Sequence, residues 1–305
     1  MAEAERPASK APSHPSTGQR RPRGTLRVSK KNSLFQEWLA LKTNRQKRHR
    51  TQQFLVEGTT AIDSAVTHGW ELDALLHPSG RRLSPWAEAH LQSGVAQRNV
   101  EIDAELLGEL TERHEGAELL AVARMRELEL GELKELREPW LVVAVDRPKS
   151  PGNLGSIIRS AVSFDATAVV LTGHAADPFD PACVRASVGT LFDLPLVRLP
   201  SHAGLLAWLD ERRALSRLTA VGTGQDGTEL IDRVDLTGNT LIILGNETEG
   251  LSRAYRDACD RFVRLPTSAR QSSLNVSAAA AILLYEVARQ RGAPGPLGDP
   301  PAASV

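Results

Sequence analysis

The chain has 305 residues, 37 basic and 37 acidic side chains, 41% hydrophobic residues and two cysteines. That length leaves room for two domains and a substantial core, and it contains no apolar stretch of about 18 residues that would read as a membrane span. The amino terminus lacks the apolar core of a secretory signal, so a cytoplasmic protein with no membrane partner is expected. Cys183 and Cys259 show no paired spacing and the eight histidines are scattered, which argues against a disulfide scaffold and against a metal site. Charge is unevenly spread: residues 1–50 hold 13 basic and 3 acidic side chains, leaving 24 and 34 for the rest. A basic arm on an acidic body reads either as a phosphate-binding segment or as a solubilising tail.

Residues 1–30 are rich in Pro, Ser, Gly, Lys and Arg with almost no large apolar side chains, so a disordered arm is expected there. From Asn32 the pattern changes. Leu34, Phe35, Trp38, Leu39 and Leu41 fall on a helical stripe, followed by the basic turn TNRQKRHR (43–50) and the strand-like FLVEG (54–58). Arg45, Lys47, Arg48 and Arg50 of that turn are candidate RNA contacts. An amphipathic segment (60–68), LDALLH (72–77), two helical stretches (85–93 and 104–111) and the strand candidate ELLAVARM (118–125) complete a small α/β domain over 31–127. Residues 128–139 are charged, lack a strong apolar face and end at Pro139, and are assigned as a linker.

The second half starts with the buried-strand run WLVVAVD (140–146), then RPKSPGN (147–153) and a helix over 154–164. ATAVVLTG (166–173), LTAVGTG (218–224) and LIILG (241–245) follow as near-continuous apolar strands, the pattern of a parallel sheet covered on both faces. This domain is assigned to 140–292, with a disordered tail over 293–305. A Rossmann methyltransferase or dehydrogenase would carry a glycine fingerprint after its first strand, and none is present.

Four ordered blocks carry the chemistry: NLGSIIRSA (153–161), DPFDPACVRASVGTLFDLPL (177–196), LIILGNETEGLS (241–252) and LPTSARQSSLNVSAAAAILLYE (265–286). In the third, a buried strand opens into a polar Gly-Asn-Glu turn, where open α/β sheets usually hold ligands. In order and wording the blocks resemble the SpoU (TrmH-type) family of RNA ribose 2′-O-methyltransferases, of the SPOUT class. The resemblance covers roughly residues 140–291, and the opening of the first domain more loosely resembles the L30e-like substrate-binding domain found before many SpoU catalytic domains.

The resemblance implies an α/β protein with a C-terminal, trefoil-knotted, parallel-sheet SPOUT methyltransferase domain and a smaller N-terminal L30e-like α/β domain. It also implies a homodimer that uses S-adenosyl-L-methionine to methylate a ribose 2′-hydroxyl in structured RNA, with 23S ribosomal RNA favoured. The alternatives are a tRNA 2′-O-methyltransferase and a non-catalytic RNA-binding ribosome-assembly factor. Arg159 aligns with the family's catalytic arginine; since arginine stays protonated, it is read as a cation that binds the adjacent phosphate and stabilises a developing alkoxide. Asn153, placed to cap the following helix, Glu247, placed to orient Arg159 or the ribose, and Ser273 and Asn275, which match the family motif that positions donor and target, complete the catalytic set the resemblance implies. Asn275 is also a candidate cap for the last helix. Gly245, which would let a ligand approach the backbone, Leu265, Leu274 and Thr223 are the cofactor-binding candidates. Arg185 aligns with a ligand of the RNA phosphate; the competing reading for it is an interdomain or dimer-interface ion pair.

Overall fold

The computed structural model describes residues 23–111, 117–134, 136–268 and 274–292. The N-terminal part runs β1 (Arg23–Val28), α1 (Ser33–Thr43), α2 (Arg45–Thr51), β2 (Gln53–Glu57), α3 (Thr59–Thr67), β3 (Leu72–Pro78), α4 (Pro85–Gln92), β4 (Arg98–Ile102), α5 (Ala104–Leu110) and β5 (Leu120–Arg124). Its sheet has the order β1-β4-β3-β5-β2; β1, β4 and β3 are parallel, and β5 runs antiparallel to β3 and β2. The helical stripe forms as expected, with Phe35, Trp38 and Leu41 of α1 buried against this sheet. Asn32 and Asn44 each lend a side-chain oxygen to a first-turn amide, which lets two short helices start twelve residues apart.

The C-terminal part runs β6 (Leu141–Asp146), α6 (Pro151–Ser163), β7 (Ala168–Thr172), α7 (Pro181–Ser187), β8 (Leu196–Leu199), α8 (His202–Leu215), β9 (Leu218–Thr223), β10 (Glu229–Leu230), β11 (Asn239–Leu244), α9 (Arg253–Ala258), β12 (Arg261–Arg264) and α10 (Val276–Gln290). All neighbours in the sheet β10-β12-β9-β11-β6-β7-β8 are parallel. β6, β7 and β11 are buried at every residue because both faces are covered, which is why they read as continuous apolar runs rather than alternating ones. Leu154, Ile157, Ile158, Leu283 and Leu284 pack one face through α6 and α10; Leu205, Trp208, Leu209 and Tyr255 pack the other through α8 and α9. Among the described residues no helix is long and apolar enough to cross a membrane.

Three features differ from the sequence reading. Arg23–Val28, inside the arm expected to be disordered, forms an edge strand on β4; Val28 is buried while Leu26 stays exposed, and the strand is ordered by backbone pairing, which composition does not report. The segment read as a linker is docked: Leu128 pairs with Val197, and Leu130, Leu133 and Leu136 pack in the same cluster as Trp140.

The third difference concerns the basic turn. Arg48 is 2% exposed and bonds Asp177 (2.8 Å), Asp180 (3.0 Å) and the carbonyl of Leu41. Arg45 donates to the Ala175 carbonyl at 2.8 Å, and Lys47 lies 3.9 Å from Glu37. Arg48 is therefore a buried pin between the two parts rather than an RNA contact, and Arg45 already spends a donor there; Arg50 remains exposed. A charge cluster shows its sign in sequence but not which way its helix faces. Around this pin Phe54 packs on Phe179, the Trp70 indole donates to the Phe192 carbonyl (3.0 Å), and Ser64 donates to the Gly189 carbonyl (2.7 Å).

Candidate active site

The site is built where the carboxyl ends of β6, β9, β11 and β12 meet the start of α10. α6 begins at Ser150, whose hydroxyl accepts the Asn153 amide at 3.3 Å, with Pro151 in the first turn. Asn153 is thus not the cap expected of it, and its side chain is left for another task. Glu247, in the turn after β11, lies over this helix start: Oε2 accepts the Lys149 amide (3.0 Å), and Oε1 accepts the Ser150 amide (3.2 Å) and Asn153 Nδ2 (3.3 Å). Two carboxylate oxygens on a helix amino terminus match the partial positive charge there. Burial pushes the Glu247 carboxyl up, yet the Lys149 and Ser150 amides and the Asn153 side chain outweigh it and hold the group below its ordinary value.

Asn153 Oδ1 in turn accepts Asn275 Nδ2 at 3.1 Å. Asn275 caps α10 as expected, its Oδ1 accepting the Ser277 amide (2.8 Å) and hydroxyl (2.6 Å). A chain of three side chains, Glu247, Asn153 and Asn275, therefore joins three loops far apart in sequence. Arg159 lies six residues beyond Asn153 on α6, roughly 9 Å along the helix axis. It is exposed, and among the described residues its guanidinium makes no hydrogen bond or ion pair. Glu247 does not orient Arg159 in this structure; it orients the start of the helix that carries it.

Gly245 is required by the protein itself. A Cβ there would sit 2.4 Å from the Leu251 amide nitrogen and 2.5 Å from the Gly250 carbonyl carbon, so the close approach its sequence position suggested is made by the returning turn. Asn246, which sequence reasoning passed over, shapes that turn: its Oδ1 accepts the Thr248 and Glu249 amides and its Nδ2 donates to the Arg147 carbonyl at 2.6 Å. The signal available was an Asn directly after a strand-ending Gly, the setting of an Asx turn. Gly155 was also missed; its absent Cβ would lie 2.3 Å from the Cys183 carbonyl, so α6 and α7 cross closely only because it is glycine.

Thr223 donates to the Ile243 carbonyl at 3.2 Å, tying β9 to β11. Leu265 is half-buried and Leu274 is 41% exposed. Arg185, on the exposed side of α7, shares a small cavity with Glu57, Leu55, Pro181 and Val184, at the seam between the two parts. Ser273 lies outside the described residues.

The profile of the SpoU rRNA Methylase family matches residues 140–285, and that of the SpoU L30e-like domain matches residues 32–121. A 23S rRNA (uridine(2479)-2′-O)-methyltransferase of Streptomyces viridochromogenes is 44% identical over 278 residues, covering 90% of this chain and 96% of the relative. The chain belongs to the SpoU family. Its fold is similar to the crystal structure of the SpoU methyltransferase AviRb from Streptomyces viridochromogenes in complex with AdoMet, with a TM-score of 0.81 and 44% identity over 86% of this chain and 98% of that one. An AdoMet-bound rRNA methyltransferase from Sinorhizobium meliloti gives 0.76 at 26% identity, covering 87% and 98%. Within the SpoU fold, then, the three-loop junction lies in the segment that the methylase profile spans.

Proposed function

We propose that this protein transfers a methyl group from S-adenosyl-L-methionine to a ribose 2′-hydroxyl of 23S ribosomal RNA, as a homodimer with a trefoil-knotted catalytic domain. The observation that carries the reading is the Glu247–Asn153–Asn275 junction: SpoU motif residues from three separate blocks meet within hydrogen-bond distance at the carboxyl end of a parallel sheet. The 44% identity to a 23S rRNA 2′-O-methyltransferase along nearly the whole chain supports the choice of 23S rRNA over the tRNA alternative.

The residues present fit the cofactor. Leu265 and the partly exposed Leu274 supply apolar side chains, and Thr223 and Gly245 stand at the carboxyl ends of β9 and β11, a mix of groups suited to a ligand with a flat heterocycle and a charged end. Bound there, S-adenosylmethionine would supply a methyl carbon already activated by its sulfonium. The protein's own work is positioning and charge. Asn153 and Asn275 fix the floor on which the ribose is set, and Glu247 holds the start of α6. Arg159, unengaged among the described residues, meets the adjacent phosphate and the oxygen that becomes negative as its proton leaves; such an interaction contributes about 3 kcal/mol to a transition state. Ser273 and Arg185 complete the donor and RNA contacts.

The dimer is supported by α10, whose capping residue Asn275 meets Asn153 in the first turn of α6. α10 then lies on α6, with Tyr285 against Phe164 and its outer side still uncovered. Incubating the full-length protein with S-adenosylmethionine and unmodified 23S rRNA, then mapping 2′-O-methyl riboses, is expected to show one new site. Methylation of tRNA instead, or of neither RNA, would refute the reading.

A further inference from the structure

Arg147 has an unusual backbone for a long side chain. Its φ is 51°, in the left-handed region, and the neighbouring Gly173, itself at φ 69°, leaves the space its stem occupies: a Cβ on Gly173 would lie 2.7 Å from Arg147 Cγ. This bend brings the guanidinium back over the strand end. Nε and Nη2 donate to the two oxygens of Asp146 (3.1 and 3.2 Å), and Nη1 donates to Glu249 Oε2 at 2.5 Å. Around it the same two loops meet through backbone: Asn246 Nδ2 donates to the Arg147 carbonyl, and the Ser252 amide donates to Asp146 Oδ2 at 3.1 Å.

We propose that Asp146 and Arg147 are positioning residues that clasp the 245–252 turn to the loop opening α6, so that the cofactor-side turn and the helix bearing Arg159 keep one arrangement before any ligand arrives. Neither is among the candidate catalytic or cofactor residues. A left-handed backbone held at a non-glycine position, with its side chain bonded to one carboxylate at its own strand end and one on the facing turn, is strain retained for geometry. The inference rests on the proposed function only in naming S-adenosylmethionine as the ligand whose affinity the clasp sets. If an unclasped turn is competent a tenth of the time, apparent affinity falls about tenfold even though every group that touches the ligand is kept.

The test compares full-length wild type, Arg147→Gly and Glu249→Gln. Glycine suits the left-handed backbone, so this variant separates the clasp from the strain. Hydrogen exchange is measured on the protein without cofactor, and binding by calorimetric titration with S-adenosylmethionine. Arg147→Gly is expected to speed exchange at 246–251 alone, keep the thermal midpoint, and weaken binding about tenfold. Glu249→Gln should shift both in the same direction by less, and it carries the test if the glycine variant does not fold. Unchanged exchange and affinity in both variants would overturn the proposal, as would a loss of protection spread evenly over the domain. Wild type that fails to bind S-adenosylmethionine would sink the functional reading, while the exchange data would still decide the clasp.

Discussion

At the scale of single residues, the site divides into groups that are engaged and one that is waiting. Arg159 is exposed on α6 and unengaged among the described residues, so its removal leaves no orphaned partner there. Arg159→Ala is therefore expected to retain cofactor affinity within about twofold while kcat falls about 100-fold, and Arg159→Lys to recover little, because a point charge does not reproduce the planar fork. Titration and single-turnover rates check both. Glu247 is the opposite case, its carboxylate filled by two amides and Asn153. Folding lowers its pKa from the ordinary 4.5. A carboxyl shifted down contributes stability above its unfolded value and loses it as pH falls through its folded value. The tie between the turn and α6 should thus be present at neutral pH and weaken as pH falls through the lowered value. Thermal melts of wild type and Glu247→Gln should differ near neutrality and converge at low pH; parallel curves would show that the carboxylate charge is not what holds the helix start.

Among the elements, α2 shows how a charge run can be misread. Thr43 to Arg50 looks like a phosphate-facing turn, yet Arg48 is turned inward onto Asp177 and Asp180 of the other domain. Removing one member of a buried pair leaves the other charge uncompensated, at a cost of about 3–5 kcal/mol. Arg48→Ala should lower the urea midpoint of the full chain by a matching amount, with the N-terminal part releasing first by hydrogen exchange; a loss below about 1 kcal/mol would place the pair among surface ion pairs in effect. α6 depends on its neighbours in a different way. Its apolar face was readable, but its cap was assigned to Asn153 when Ser150 was available three residues earlier, because two capping residues flanking a Pro-Gly pair leave the start undetermined until it is seen which first-turn amide each one meets.

For the whole molecule, two surfaces remain to be matched with partners. α10 leaves Ile282 44% and Tyr285 55% exposed next to Phe164, an apolar strip that a second protomer would cover. Ile282→Asp is expected to give a monomer mass in light scattering where wild type gives a dimer; a wild-type monomer at micromolar concentration would rule the dimer out. The basic arm needs a narrower truncation than sequence alone suggests, since Arg23–Val28 belongs to the sheet. Deleting residues 1–22, which carry Arg6, Lys10, Arg20 and Arg21, should flatten the salt dependence of RNA binding by about 0.7–0.9 logarithmic units for each phosphate no longer neutralised. An unchanged slope would mark the arm as a solvated tail.

By itself, the sequence determined the parallel sheet, the polar turn at the end of β11 and the blocks that meet at the site. Those signals are local: a strand buried on both faces is apolar at every position, and a turn needs its Gly and Asn in place. Only the tertiary structure decided where side chains with several possible partners point. Arg48 went to the domain seam rather than the solvent, Asn153 to Glu247 and Asn275 rather than to its own helix end, and Gly245 to its own returning turn. Arg147 likewise could not be read as a clasp, because Asp146 is its neighbour in sequence while Glu249 is 102 residues away. A hydrogen bond is short in space and indifferent to sequence distance, so which of several competent partners a polar group takes is settled when the sheet brings its loops together.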